Sequence, residues 1–215
     1  TIRGYNTLTG TICSFSSIMK TIVLTGYSEP SGNLSCLIPM TGLKTIELQN
    51  DEDDPVVIAG DIGNTIAGNI TDVPESVSTC IIRGNNTISG NVSNMPAGTG
   101  STATYFNIAG DNTLTGALST IKTNCKLFVV EGFNTLSGSL STIPTGTMTR
   151  FIVIVNAPAV SGITGNIAQI PPTIIQFALQ GNISVNTYSP TPGPGRTWAA
   201  NMNYFVHAPN NRVAY

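Results

Sequence analysis

Seven short segments of the chain alternate between apolar and polar positions. Each has two apolar residues separated by one residue, and successive pairs begin 22 to 26 residues apart, apart from one gap of 34. The pairs are Ile22/Leu24, Ile46/Leu48, Cys80/Ile82, Phe106/Ile108, Phe128/Val130, Ile152/Ile154 and Phe177/Leu179. Period-two alternation of β-branched and aromatic residues predicts short strands that bury one face.

A repeated phrase follows most of these segments. It reads Gly-x-Asn-Thr-apolar-x-Gly-x-apolar and occupies residues 4–12, 84–92, 110–118 and 132–140, with an altered copy at 62–70. Weaker copies lie at 26–34 and around 160–167, and an apolar-Pro pair closes most units. A repeat of this length predicts stacked coils, because one coil alone cannot bury its apolar face.

The complete unit resembles the leucine-rich repeat, in which a strand Leu-x-Leu leads to Asn-x-Leu-x-Gly-x-Ile. The predicted fold is a repeat solenoid, specifically a leucine-rich-repeat-like parallel β solenoid of short strands and irregular turns with little helix. The Asn after each strand is expected to be buried and bonded to turn backbone of its own and the next coil. These residues are Asn6, Asn64, Asn86, Asn112 and Asn134.

The repeat divides the chain into three parts. Residues 1–186 form the predicted solenoid, 187–195 a Pro/Gly linker, and 196–215 either a C-terminal cap or the start of another module. Because Thr1 falls within a repeat, without an initiator Met or signal peptide, we expect further residues upstream.

An insertion at 50–61 interrupts the third unit and is acidic. Asp51, Glu52, Asp53 and Asp54, four of the eleven acidic residues of the chain, follow one another at its start. Such a loop could hold Ca²⁺ or contact a host molecule, or it could be a solvated loop that keeps the insertion soluble. The spacing matches no EF-hand, which favours the solvated loop.

Composition excludes several partners. Charged residues make up 9% of the chain, with 9 Lys plus Arg against 11 Asp plus Glu and a net charge of -2. No basic surplus exists to neutralise phosphates, so nucleic acid is not an expected partner. No apolar run approaches about 18 residues, so membrane insertion is not expected.

Catalytic chemistry is not expected either. The only histidine, His207, lies in the trailing segment. It is therefore the single possible base for a Ser-His or Cys-His dyad. The four cysteines lie in different repeats without CxxC spacing, and we predict no metal, cofactor or catalytic residue. Cys13 and Cys36 could lie close enough to pair, but free thiols are expected, since the capping cysteine pairs of plant-type leucine-rich proteins are missing.

The outward strand positions are unusually apolar. Val23, Ile81, Val129 and Val153 are assigned to the exposed sheet face. We hypothesise that this face packs against another copy of the chain; the alternative is a mild apolar groove shielded by loops.

The repeat phrase, joined to the tail 196–202 (Arg-Thr-Trp-Ala-Ala-Asn-Met), resembles repeat proteins of bacteriophages that infect Bacteroidetes, including the crAss-like phages. The resemblance implies a virion-surface, extracellular fibre or capsid/tail decoration, oligomeric with trimers favoured. Other virion proteins and a host-surface glycan or protein are the implied partners. A bacterial secreted or surface leucine-rich-repeat adhesin is the alternative. An ice-binding solenoid is weaker, because a single Thr recurs in each coil.

Overall fold

The computed structural model describes residues 9–25, 29–49, 64–100, 102–165, 169–181 and 183, with the backbone of 203–208 and 211–213. The strands are β1 (Thr9–Thr11), β2 (Thr21–Thr25), β3 (Glu29–Asn33), β4 (Thr45–Gln49), β5 (Thr65–Asn69), β6 (Thr79–Asn91), β7 (Thr104–Ala117), β8 (Cys125–Gly132), β9 (Thr135–Ser139), β10 (Arg150–Val155), β11 (Gly162–Thr164), β12 (Gln176–Gly181), β13 (Asn203–Ala208) and β14 (Asn211–Val213). Short 3-10 turns span Ile12–Ser14, Leu34–Leu37, Ile70–Asp72, Val92–Asn94, Leu118–Thr120 and Leu140–Thr142. The acidic insertion 50–61 and the linker 187–195 lie outside the described residues.

The strands form two parallel sheets, and the predicted leucine-rich-repeat-like parallel β solenoid is confirmed. Sheet A contains β2, β4, the first halves of β6 and β7, β8, β10, β12 and β13. Sheet B contains β1, β3, β5, the second halves of β6 and β7, β9 and β11. Within the segment 196–215, β13 continues sheet A in parallel and β14 turns back antiparallel to it.

The two sheets differ in register. In sheet A equivalent residues pair directly, as Phe106 does with Phe128. In sheet B the pairing shifts by two residues per coil, so that Ser89 lies beside Thr113 rather than its equivalent Thr115. Equivalent residues are therefore about 4.8 Å apart in sheet A and, with two residues of strand rise added, about 8 Å apart in sheet B. The outward side of sheet A is called the concave face below, because the repeated strand of a leucine-rich-repeat solenoid lines the inner side of its horseshoe.

The core consists of apolar rows that run across the coils. Inward positions of sheet A include a stack of four phenylalanines, with ring centroids 5.5 to 5.8 Å apart. These are Phe106, Phe128, Phe151 and Phe177. Such contacts between aromatic rings add to the free energy of burial itself.

The predicted inward pairs are confirmed on six of the seven strands, and the prediction for β10 is wrong by one residue. Phe151 and Val153 point inward on this strand, while Ile152 and Ile154 face outward. Five successive apolar residues leave the alternation ambiguous. The phenylalanine stack decides it, because Phe151 pairs with Phe128.

The repeated Asn side chains form a buried ladder, as predicted, but one partner lies in the preceding coil rather than in the same coil. Asn112 Oδ1 accepts a hydrogen bond from Ile88 N at 2.8 Å, in the preceding coil. Its Nδ2 donates to Glu131 O at 3.2 Å, in the following coil. Each rung of this type connects three coils. The equivalent buried residues are Asn64, Asn86 and Asn134, while Asn6 lies outside the described residues.

A disulfide joins Cys13 and Cys36, with Cα atoms 4.9 Å apart, so the expectation of free thiols is wrong for this pair. The two residues do not align in the repeat, since Cys13 follows the inward Ile12 directly and Cys36 comes two residues after the inward Leu34. The longer turn Leu34–Leu37 brings Cys36 beside Cys13. Cys80 and Cys125 are free and buried.

Alkaline pH is expected to weaken the fold through these two thiols. Burial raises the pKa of Cys80 and of Cys125 from 9.0 to about 12. Between these values the folded state keeps protons that the unfolded chain has lost, so the free energy of unfolding falls by about 1.4 kcal/mol per pH unit for each thiol. Below the pKa of the thiols in the unfolded chain, these two cysteines no longer make the free energy of unfolding depend on pH.

Urea unfolding measured on both sides of the unfolded pKa tests this prediction. The double variant Cys80→Ala/Cys125→Ala serves as control, because it removes both thiols while leaving every lysine and tyrosine to titrate. An equally steep loss of stability in the double variant would show that the buried thiols are not its cause.

Candidate functional site

The outward side chains of sheet A form three rows along the concave face. The entry row, near the strand starts, contains Thr21, Thr45, Thr79, Tyr105, Leu127, Arg150 and Gln176. The middle row contains Val23, Glu47, Ile81, Asn107, Val129, Ile152 and Ala178. The exit row contains Thr25, Gln49, Arg83, Ala109, Glu131, Ile154 and Gln180.

Three of the four apolar residues predicted for this face lie on it. Val23, Ile81 and Val129 belong to the middle row, but Val23 and Val129 are only 5% exposed and Ile81 is half-buried. Val153 belongs to the inward row and is fully buried, so its placement on the outer face was wrong. The face therefore exposes less apolar surface than the sequence suggests, and its contact with another copy stays a prediction.

A buried polar side chain interrupts the middle row. Asn107 is 1% exposed and lies between Ile81 and Val129 in the register of the sheet. Its Oδ1 has no hydrogen-bond partner. A buried acceptor without a donor lowers stability by about 1–3 kcal/mol. Buried polar groups without partners are uncommon in folded proteins, which singles out Asn107 on this face.

The entry row beside Asn107 carries an aromatic–cation pair. Lys126 Nζ lies 5.9 Å from the centroid of the half-buried Tyr105 ring. Lys126 is the extra residue of a β-bulge, because Thr104 pairs with Cys125 and Tyr105 with Leu127. Bulges re-aim side chains in this way, and this one brings Lys126 to the ring. A bulge has no signature in the repeat, so the sequence did not indicate this pair.

This face offers the chemistry of recognition. Tyr105 on β7 supplies an aromatic surface and Lys126 on the adjoining β8 a cation, both half-buried. Gln176, also half-buried, supplies an amide on β12, on the far side of β10. In the described parts of the chain, no group of three His, Cys, Asp or Glu side chains is placed to hold a metal ion. The acidic candidates Asp51, Glu52, Asp53 and Asp54 lie outside those parts.

Across the residues with described structure, no helix combines the length and the apolar character needed to cross a bilayer.

Comparison with solved structures yields a similarity in fold. The chain is similar to the plant peptide hormone receptor RGFR1 in complex with RGF2, with a TM-score of 0.46 and 17% sequence identity. The match covers 84% of this chain and 31% of the receptor chain, so the chain spans about a third of that structure's length. No family model and no curated protein matches the sequence.

Proposed function

We propose that the chain is a non-enzymatic attachment module on the surface of a bacteriophage virion. It forms part of a fibre or of a capsid or tail decoration and binds a host-surface glycan or protein through the concave face of sheet A. The observation that carries this proposal is the Tyr105–Lys126 pair beside the unpaired, buried Asn107 acceptor.

The scaffold supports a binding role. A leucine-rich-repeat-like solenoid presents an extended concave surface, and such surfaces serve recognition in repeat proteins. Side chains on paired strands are held by the ladder and the core, so little conformational entropy is lost when a partner binds. Tyr and Lys on a rigid sheet therefore suit a surface that must stay formed without its ligand.

The virion assignment has two supports. The repeat phrase and the tail 196–202 resemble phage repeat proteins, as described above. The Cys13–Cys36 disulfide suits an extracellular protein, because such bonds persist in oxidising compartments and are rare in the cytosol. A homo-oligomer, with three copies favoured, and contacts with other virion proteins belong to the same proposal.

Cell binding tests the attachment role. Fluorescently labelled chain is titrated onto intact Bacteroidetes cells, and the variant Tyr105→Ala/Lys126→Ala is expected to bind at least about tenfold more weakly, as removal of a central aromatic anchor does. Lys20→Ala is the matched control, since Lys20 is exposed and lies outside the strands of sheet A. Equal binding by all three proteins would contradict a role for the concave face.

Light scattering behind size exclusion separates the two versions of the proposal. A stable trimer of residues 1–215 favours the fibre. A monomer that still binds cells favours the bacterial secreted or surface adhesin, which the same concave face would serve. Neighbouring capsid and tail genes, or sorting and secretion signals, distinguish the two independently.

A further inference from the structure

A pocket lies away from the concave face, along the edge where successive 3-10 turns stack. Its volume is about 340 Å³, within the range of small-ligand sites. Its walls come from four coils: Ile38 after the turn Leu34–Leu37, Asp72 in the next turn, Asn94 in the one after that, and Lys122 beyond the turn Leu118–Thr120. A pocket assembled across coils exists only in the stacked solenoid.

Charged groups in this pocket face one another without pairing. Asp72, Glu75 and Lys122 line it together, and their side chains form no ion pair or hydrogen bond with the other described residues. Asp72 and Lys122 are half-buried, so both are partly withdrawn from water. Donors and acceptors that line one pocket without bonding to each other are available to a ligand with hydroxyl groups on several sides.

One wall of the pocket is apolar, and Thr71, Ser93 and Asn94 add hydroxyl and amide groups to the rest. Ile38 is 55% exposed, one of the few large apolar side chains in the described residues that the fold leaves open to solvent. Val73 and Pro74 adjoin it in the pocket. A pocket that combines an aliphatic wall with carboxylate, ammonium, hydroxyl and amide groups matches a pyranose ring, whose C–H face is apolar and whose rim carries hydroxyls.

We infer that this corner pocket binds a neutral hexose unit of a surface glycan. Asp72 and Glu75 accept hydrogen bonds from ring hydroxyls, Lys122 and Asn94 donate to ring oxygens, and Ile38 contacts the C–H face. The opposed charges sum to about one negative unit, too little to select an ionic sugar. The site is separate from the concave face and does not depend on the partner that binds there.

Saturation-transfer NMR tests the assignment with three neutral probes: methyl α-D-mannopyranoside, methyl β-D-glucopyranoside and methyl β-D-galactopyranoside. We expect at least one to bind with a dissociation constant on the order of 1 mM, as suits a ligand of this size. Asp72→Asn should weaken it about tenfold by removing a charge-assisted acceptor. Glu29→Gln is the matched control, an exposed carboxylate on sheet B that does not line the pocket.

A second variant guards against misfolding of the first. Asn94→Trp introduces a bulky ring at an exposed pocket position and should abolish hexoside binding with an unchanged unfolding midpoint. No saturation transfer from any neutral probe, or equal affinity in the wild type and both pocket variants, would overturn the inference. So would tenfold tighter binding of methyl β-D-glucosaminide or a methyl glucuronide.

The concave-face variant keeps the two sites distinguishable. Tyr105→Ala/Lys126→Ala is expected to retain hexoside binding at wild-type affinity even where it loses attachment to cells. Loss of hexoside binding in that variant would place the sugar on the concave face and refute the corner pocket.

Discussion

Replacing Asn112 with alanine is expected to lower the free energy of unfolding by roughly 2–5 kcal/mol. The side chain is fully buried and bonds to both neighbouring coils. Its removal deletes the hydrogen bonds to the buried Ile88 N and to Glu131 O, at a cost of about 1–3 kcal/mol each. Water cannot compensate readily, because the ladder is enclosed by the stacked coils. Chemical unfolding followed by circular dichroism measures the change.

The ladder itself supplies a matched control. Asn134 is equally buried and accepts from Leu114 N at 2.8 Å, but its Nδ2 has no partner. Asn134→Ala therefore loses one satisfied hydrogen bond where Asn112→Ala loses two, and it should be milder by about 1–2 kcal/mol. The exposed Asn85 should tolerate alanine without measurable loss. Equal losses at Asn112 and Asn134 would contradict the three-coil rung as the source of stability.

Gly132→Ala is expected to cost about 4 kcal/mol or more, a loss that approaches the whole stability of a small domain. Gly132 has φ +139°, and an added Cβ would lie 2.6 Å from Asn112 O and 2.7 Å from Asn112 N and Gly110 O. All three are backbone atoms of the stacked coil, so no side chain can rotate away. The methyl group would have to separate coils at the position where the Asn ladder connects them.

Two other glycines separate the causes of this cost. Gly10 has φ +143° but nothing within 4 Å of an added Cβ, so Gly10→Ala measures backbone strain alone, about 1–3 kcal/mol. Gly42 has open space and no left-handed φ, so Gly42→Ala should be neutral or slightly stabilising. The unfolding midpoints of the three variants show how much of the loss comes from the steric clash and how much from backbone strain. A Gly132→Ala protein as stable as Gly10→Ala would show that the coils are not packed closely at this position.

Both predictions bear on the proposed function. Gly110 and Gly132 bring successive coils into direct backbone contact at the ends of their concave strands. Asn112 Nδ2 donates a hydrogen bond to the carbonyl oxygen of Glu131, a residue of the exit row. The positions of Tyr105, Asn107 and Lys126 therefore rest on this packing. A variant that loosens the ladder should reduce cell binding even without touching the concave face.

The repeat phrase determined most of the fold. It has two periods, alternation within a strand and recurrence after 22 to 26 residues, and both can be read directly along the chain. The first predicts strands and the second predicts stacked coils. Asn112 and its equivalents could be assigned to a buried ladder because a buried amide at every coil requires partners in neighbouring coils. The resemblance to leucine-rich repeats rests on the same spacing.

Other features depend on contacts between coils, which a one-dimensional pattern does not contain. The stacking of Phe151 on Phe128 decides which residues of β10 point inward, because five apolar residues in succession suit either face of the sheet. The Cys13–Cys36 bond required the longer second turn, and the bulge at Lys126 produced the aromatic–cation pair. The two-residue stagger of sheet B and the corner pocket, which needs four coils, also depend on these contacts. The sequence by itself thus determined the coil, whereas only the tertiary structure decided the surfaces, because a surface is composed of side chains from different coils.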